Sequence, residues 1–146
     1  MSATGLDEQM TELFGFQCVD AALLVRRAHI IASLGLVLIG SIVLGVIIAN
    51  LVVAIATTTL LIAASSLFSD RRILAIADGS VVQAKCAPFG RRPTHPLAPL
   101  TASDLGERPF GSSDNFMLSI HGTVFVGQRG SGDFAAAYRS LRTREH

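Results

Sequence analysis

Polar and apolar positions are distributed very unevenly along this chain. Residues 28–68 form a run of 41 positions without Asp, Glu, Lys or Arg, and 29 of them are apolar. A core helix of a soluble domain does not run that long without charge, and about 18 apolar residues are enough to cross a bilayer. As one helix the run would extend roughly 60 Å, twice the hydrocarbon thickness. Two antiparallel spans fit better. The break falls at Ala49-Asn50, because Asn50 is the polar residue near the midpoint and tolerates a turn. The pattern therefore predicts transmembrane helices over 29–48 and 51–68. A cleaved signal peptide fits poorly, since the run is too long and the segment before it is acidic.

The flanks carry shorter patterns. In residues 1–27, Leu6, Met10, Leu13 and Phe14 recur at helical spacing, one face of an amphipathic helix that Thr4 or Asp7 could cap. Interfacial helices are normally rich in Lys and Arg on their polar face, and this one is acidic, which favours docking on protein. After residue 68 the period shortens. Asp78-Gly79 between two strand-like runs is a strong hairpin signal and pairs Ile76 with Val81 and Leu74 with Gln83. A second hairpin turns at His121-Gly122 and puts Phe116, Leu118, Ile120 and Phe125 on one face. Phe134, Ala137, Tyr138 and Leu141 then form a helical stripe. Ser131 is its expected N-cap, Asp133 lies in its first turn, and Arg139, Arg142 and Arg144 crowd its C-terminal end, as the helix dipole favours. Residues 87–115 hold all five prolines and are too long for a plain loop, so part of them is expected to be edge strand or functional loop.

Composition places the chain. Half the residues are apolar, 16% are charged, the net charge is +1 and the mean hydropathy is +0.51. Disorder and nucleic-acid binding are both disfavoured by these values. Arg26 and Arg27 precede the apolar run, Arg71 and Arg72 follow it, and its turn has no basic residue. The positive-inside rule then puts both termini in the cytoplasm. Cys18 and Cys86 fall on that reducing side, where no disulfide is expected.

Within the apolar run Ser33, Ser41, Gly45 and Ala49 share a four-residue spacing, and small residues on one face let helices approach closely. Ser41, Gly45 and Ala49 are the candidate helix–helix contact. Thr57, Thr58 and Thr59 make a polar belt, but threonine can bond its own helix. The run holds no ionisable residue except His29 at its edge, which argues against an ion pathway. Lys85, Arg91 and Arg92 form a cationic cluster on an expected loop, a candidate contact for anionic lipid headgroups or a partner. Cys86, His95 and His121, with Asp104 or Asp114, have no spacing that matches a nucleophilic or metal motif. Gly127, Gly130 and Gly132 lack the order and the lysine of phosphate-binding loops. No catalytic, cofactor or metal residue is assigned.

The stretch from Asp78 to Thr101 resembles the opening of bacterial pleckstrin-homology-like domains found beside transmembrane hairpins. Val81, Val82, Gly90, Arg91, Arg92, Pro96, Leu97 and Leu100 carry the resemblance, which covers residues 73–142. His95 departs from the usual apolar residue, and Pro93 and Pro99 interrupt sheet bonding. The family implies a barrel of seven strands, of which the residues after 68 look short, and an interaction or scaffold role. The expected fold class is an α+β membrane protein: a cytoplasmic segment over 1–27, a two-helix transmembrane hairpin over 28–68, and a small antiparallel β domain with a C-terminal helix over 69–146. The expected function is a membrane-anchored scaffold without catalysis or cofactor, whose partners are the bilayer and a membrane or cytoplasmic protein. The alternative is an accessory subunit of a larger membrane complex that uses the hairpin as its interface.

Overall fold

The computed structural model describes residues 4–48, 50–67, 69–108, 116–128 and 132–144. In chain order the elements are α1 (Thr4–Phe14), β1 (Val19–Arg26), α2 (Arg27–Ile48), α3 (Leu51–Leu67), β2 (Arg71–Ala77), β3 (Ser80–Cys86), β4 (Pro93–Pro96), a 3-10 turn (Ala102–Asp104), β5 (Leu105–Arg108), β6 (Met117–Ile120), β7 (Thr123–Gly127) and α4 (Gly132–Arg144). The strands form one antiparallel sheet of seven in the order β4-β3-β2-β1-β7-β6-β5. Among the described residues no pairing joins β4 to β5, so the sheet stays open.

Strand β1 corrects the sequence-level division of the chain. Residues 19–26 were expected in a separate leading segment. They lie in the middle of the sheet instead, Leu24 opposite Arg72 on one side and Gly127 on the other. The physical reason is burial on both faces: Ala21 to Val25 are all buried, so the strand reads as a continuous apolar run without alternation. The helical pair α2–α3 is thus an insertion in the β1–β2 connection, and the ladder continues to its root, where the Arg26 amide donates to the Asp70 carbonyl at 3.0 Å.

Each face of the sheet has its own core. On one face Leu24, Leu74, Leu118, Ile120 and Phe125 pack with Phe134, Ala135 and Tyr138 of α4. On the other, Met10 of α1 packs with Leu23, Ile73, Ala75, Val82 and Ala84, and Leu6, Leu13 and Phe14 lie against them. Helix α1 therefore docks on the sheet, as its acidic polar face suggested. Asp7 does not serve as the N-cap. Its Oδ1 accepts a hydrogen bond from the Ala21 amide at 2.6 Å, where Asp20 has a positive φ of 53° and the β1–β2 register shifts. The Thr11 hydroxyl accepts the Cys18 amide at 3.0 Å. These two bonds hold the acidic helix to the irregular start of β1.

Both expected hairpins form in the expected register. Ile76 faces Val81, Leu74 faces Gln83 and Leu118 faces Phe125. Asp78-Gly79 and His121-Gly122 all have positive φ, the backbone that a two-residue turn between twisted strands requires. The proline-rich segment supplies two edges. Pro93 and Pro96 sit in the outermost strand β4, where a missing N–H costs no ladder bond. Beyond β4, the Leu100 amide donates to the Val81 carbonyl at 2.9 Å. The expected N-cap Ser131 lies outside the described residues.

Phe125 is fully buried between the sheet and α4. Phe125→Ala is expected to cost about 3–5 kcal/mol, enough to abolish a cooperative thermal transition followed by circular dichroism in detergent. Phe89→Ala, on an exposed loop, should leave that transition unchanged.

Candidate functional site

The apolar helices are the most distinctive surface. Helix α2 has 22 residues and α3 has 17, lengths of about 33 and 25 Å against a hydrocarbon core of about 30 Å. Among the described residues one helix, α2, is long and apolar enough to cross a membrane, and none of its most apolar window is buried inside the protein. The expected two equal spans are thereby narrowed to one full-length apolar helix with a shorter apolar helix packed on it. The turn between them is organised by Asn50, whose side-chain oxygen accepts the amides of Val52 and Val53 at 3.0 and 3.4 Å, an N-cap for α3.

In the contact between α2 and α3, Ser41 of the expected track takes part and Gly45 does not. Ser33, Val37, Gly40, Ser41 and Leu44 are the half-buried positions along one side of α2, whereas Gly45 is exposed. Ser41 does meet the second helix: its hydroxyl lies 3.2 Å from that of Thr58. A Cβ on Gly45 would touch nothing within 4 Å, whereas one on Gly40 would stand 2.8 Å from Leu61 Cδ1. Ala49 lies outside the described residues. The correction is one of helical phase: a 3.6-residue repeat drifts off a strict four-residue spacing, so a track through Ser33 and Ser41 is carried by Gly40 rather than by Gly45. Thr57, Thr58 and Thr59 each donate to the carbonyl four residues back, at 2.8 to 2.9 Å, so the belt is mostly satisfied within its own helix.

The cationic cluster is divided by the sheet. Lys85 stands on β3 opposite His95 of β4 and Arg72 of β2, while Arg91 and Arg92 are exposed in the β3–β4 loop. That loop is closed by the Ala87 amide donating to the Arg92 carbonyl at 2.9 Å and by Arg71, whose guanidinium donates to the Pro88 carbonyl at 3.0 Å. Arg72 takes a different part. It bridges to Asp70 at 3.2 Å, donates to the buried Gln83 at 3.1 Å and lies 5.0 Å from the Phe125 ring centre. Gln83 in turn donates to the Ala98 carbonyl at 2.9 Å, which leaves this arginine a structural rather than a free charge.

The residues with catalytic potential are not brought together. Cys86 is buried beneath α1, whereas His95 shares the outer face with Lys85. His121 sits in the β6–β7 turn with Nδ1 3.5 Å from Asp104. Asp104 also accepts the Thr101 hydroxyl and amide at 2.6 and 2.9 Å, and these bonds hold its carboxyl below the ordinary range. No group of three His, Cys, Asp or Glu suited to a metal occurs among the described residues. Asp114 and Gly130 fall outside them. A cleft of about 230 Å³ lies between Val81, Leu100, Leu105, Tyr138 and Leu141, with no titratable cluster in it. Comparison with protein-family models, curated proteins and solved structures finds no match for this chain.

Two measurements test this geometry. Gly40→Leu should lower the thermal stability of the detergent-solubilised protein by forcing α2 and α3 apart, while Gly45→Leu leaves it unchanged; the reverse order would restore the four-residue track. Burial, the largest cause at both sites, raises the thiol pKa of Cys18 and of Cys86, so both stay protonated at neutral pH. Alkylation of the native protein is expected to be slow at pH 7, to quicken as pH rises, and to become rapid on unfolding. Fast alkylation at neutral pH in the folded protein would show an accessible thiolate.

Proposed function

We propose that this chain is a membrane-anchored, non-catalytic interaction module. In this reading α2 and α3 both cross a bacterial-type inner membrane, and the sheet with its two covering helices faces the cytoplasm. The observation that carries it is the position of the hairpin. It leaves the sheet from its two central strands, β1 and β2, so the domain cannot fold without drawing the roots of both helices together at one end. Charge supports the orientation, since Arg26, Arg27, Arg71 and Arg72 all lie at that root and none lies at the Asn50 turn. Seven antiparallel strands in meander order with a terminal helix also support the pleckstrin-homology-like reading, because the strand missing after residue 68 is supplied by β1. Buried thiols and dispersed histidines support a role in binding rather than catalysis.

A second reading, an accessory subunit that binds through the hairpin, draws on Gly45. It is exposed, with open space beside it, a place where another helix could approach closely. The two readings separate by crosslinking of the full chain in membranes followed by mass spectrometry. A scaffold loses its partner when Lys85, exposed on β3, is changed to Glu. An accessory subunit keeps it and loses it with Gly45→Leu.

Topology is tested by Leu51→Cys, at the turn between the helices. A membrane-impermeant maleimide added to intact cells should label it, while a fluorescent protein fused after His146 should fluoresce in the cytoplasm. Labelling only after the membrane is opened would overturn the two-span arrangement.

A further inference from the structure

The large apolar side chains that the protein leaves exposed are distributed with little scatter. Among the described residues all but Phe16, Val19 and Phe89 belong to the two apolar helices. Phe16 and Val19 are each 42% exposed, and Phe16 lies against Phe14 with ring centres 5.5 Å apart. Phe89 is 60% exposed, at the tip of the loop between β3 and β4.

Strand direction decides which end of the sheet each of these occupies. Strand β1 ends at Arg26, where α2 begins, and β2 starts at Arg71, just after α3. Antiparallel β3 therefore ends on the same side, and its loop to β4 projects toward the roots of the helices. The Arg71 hydrogen bond to the Pro88 carbonyl, at 3.0 Å, fixes the loop there. Phe16 and Val19 precede β1 or open it, and so lie at the opposite end.

We propose that the β3–β4 loop is a membrane-contact loop, with Phe89 seated in the interfacial region of the leaflet that holds the hairpin and Arg91 and Arg92 on its anionic headgroups. The proposal rests on the reading of α2 and α3 as membrane-spanning and names the surface that the domain turns toward the bilayer. An aromatic ring suits the headgroup boundary, and basic residues near an anionic leaflet are attracted to it. Exposed arginines at this end also include Arg26 and Arg27. Its nearby acids are engaged: Asp70 is bridged to Arg72 and Asp104 is held by Thr101 and His121. Glu12 of α1 shares a groove with Arg92 and Pro93, which leaves Arg91 the less shielded of the two cations. Because the loop stands at the same end of the sheet as the helix roots, weak individual contacts suffice.

The chain contains no tryptophan, so single replacements report on their own position. Full-length Phe89→Trp, Phe16→Trp and Leu38→Trp proteins would be reconstituted into phosphatidylcholine vesicles with and without phosphatidylglycerol, and into the same vesicles carrying lipids brominated near the headgroup or deep in the tail. The expected result is a blue-shifted emission of Phe89→Trp, quenched by the shallow bromine and more strongly with phosphatidylglycerol, while Phe16→Trp stays red-shifted and unquenched. Adding Arg91→Ala and Arg92→Ala, or raising salt to about 1 M where screening acts within about 3 Å, should remove the phosphatidylglycerol dependence while thermal unfolding is unchanged. Emission of Phe89→Trp as solvent-exposed as that of Phe16→Trp, with Leu38→Trp quenched by the deep bromine, would overturn the loop and leave the hairpin reading standing. Quenching of Phe89→Trp that ignores phosphatidylglycerol would overturn the arginine contact. Leu38→Trp unquenched at every depth would overturn both the hairpin reading and the loop.

Discussion

Pairing of β1 with β2 is the constraint on which the rest of the structure depends. These strands are adjacent in the sheet but separated in sequence by the whole apolar hairpin. Closing so long a connection is entropically unfavourable, yet the pair forms from Val25–Arg71 inward to Val19–Ile76. Two features offset that cost. The helices pack on each other, which brings their roots together, and the middle of β1 is buried on both faces, Ala22 and Leu24 in one core and Ala21 and Leu23 in the other. A strand buried on one face would gain about half as much apolar burial.

The two covering helices follow from this arrangement. Once β1 and β2 are apolar on both faces, neither face can be left to water, and the chain supplies α1 for one and α4 for the other. The connections are polar where the geometry is irregular. Asp7 and Thr11 take up the amides of Ala21 and Cys18 where β1 begins out of register, because a buried amide without a partner would cost about 1–3 kcal/mol. Arg72 answers a similar need at the other end, binding Asp70 and the buried Gln83 beside Phe125. A positive charge that flanks an apolar run thus also ties the sheet to its own core.

For function, the consequence is rigidity between hairpin and sheet. A domain joined to a helical hairpin by one strand can swing, whereas this one is joined by two paired strands, with the Arg26–Asp70 backbone bond at the junction. One end of the sheet therefore keeps a set relation to the helices, and residues from separate strands and loops share a common level. That fixed relation suits the proposed role of presenting a surface beside the helices.

Several features were legible in the sequence alone because each is local. The charge-free run is contiguous, and the Asp78-Gly79 and His121-Gly122 turns, the stripe of Phe134, Tyr138 and Leu141 and the apolar face of α1 are each written within about a dozen residues, where period and turn chemistry act directly. Asn50 was likewise recognisable as the break. The role of β1 was not, because a strand buried on both faces has no alternation to betray it. Nor was the helix–helix contact, since Gly40 and Gly45 are equally small and only the rotation of α2 against α3 makes Gly40 the close approach. The level shared by Phe89 and the helix roots likewise belongs to the tertiary structure. The chain places Phe89 18 positions after Arg71 and 63 after Arg26, and it is the direction of three antiparallel strands that brings them to one end.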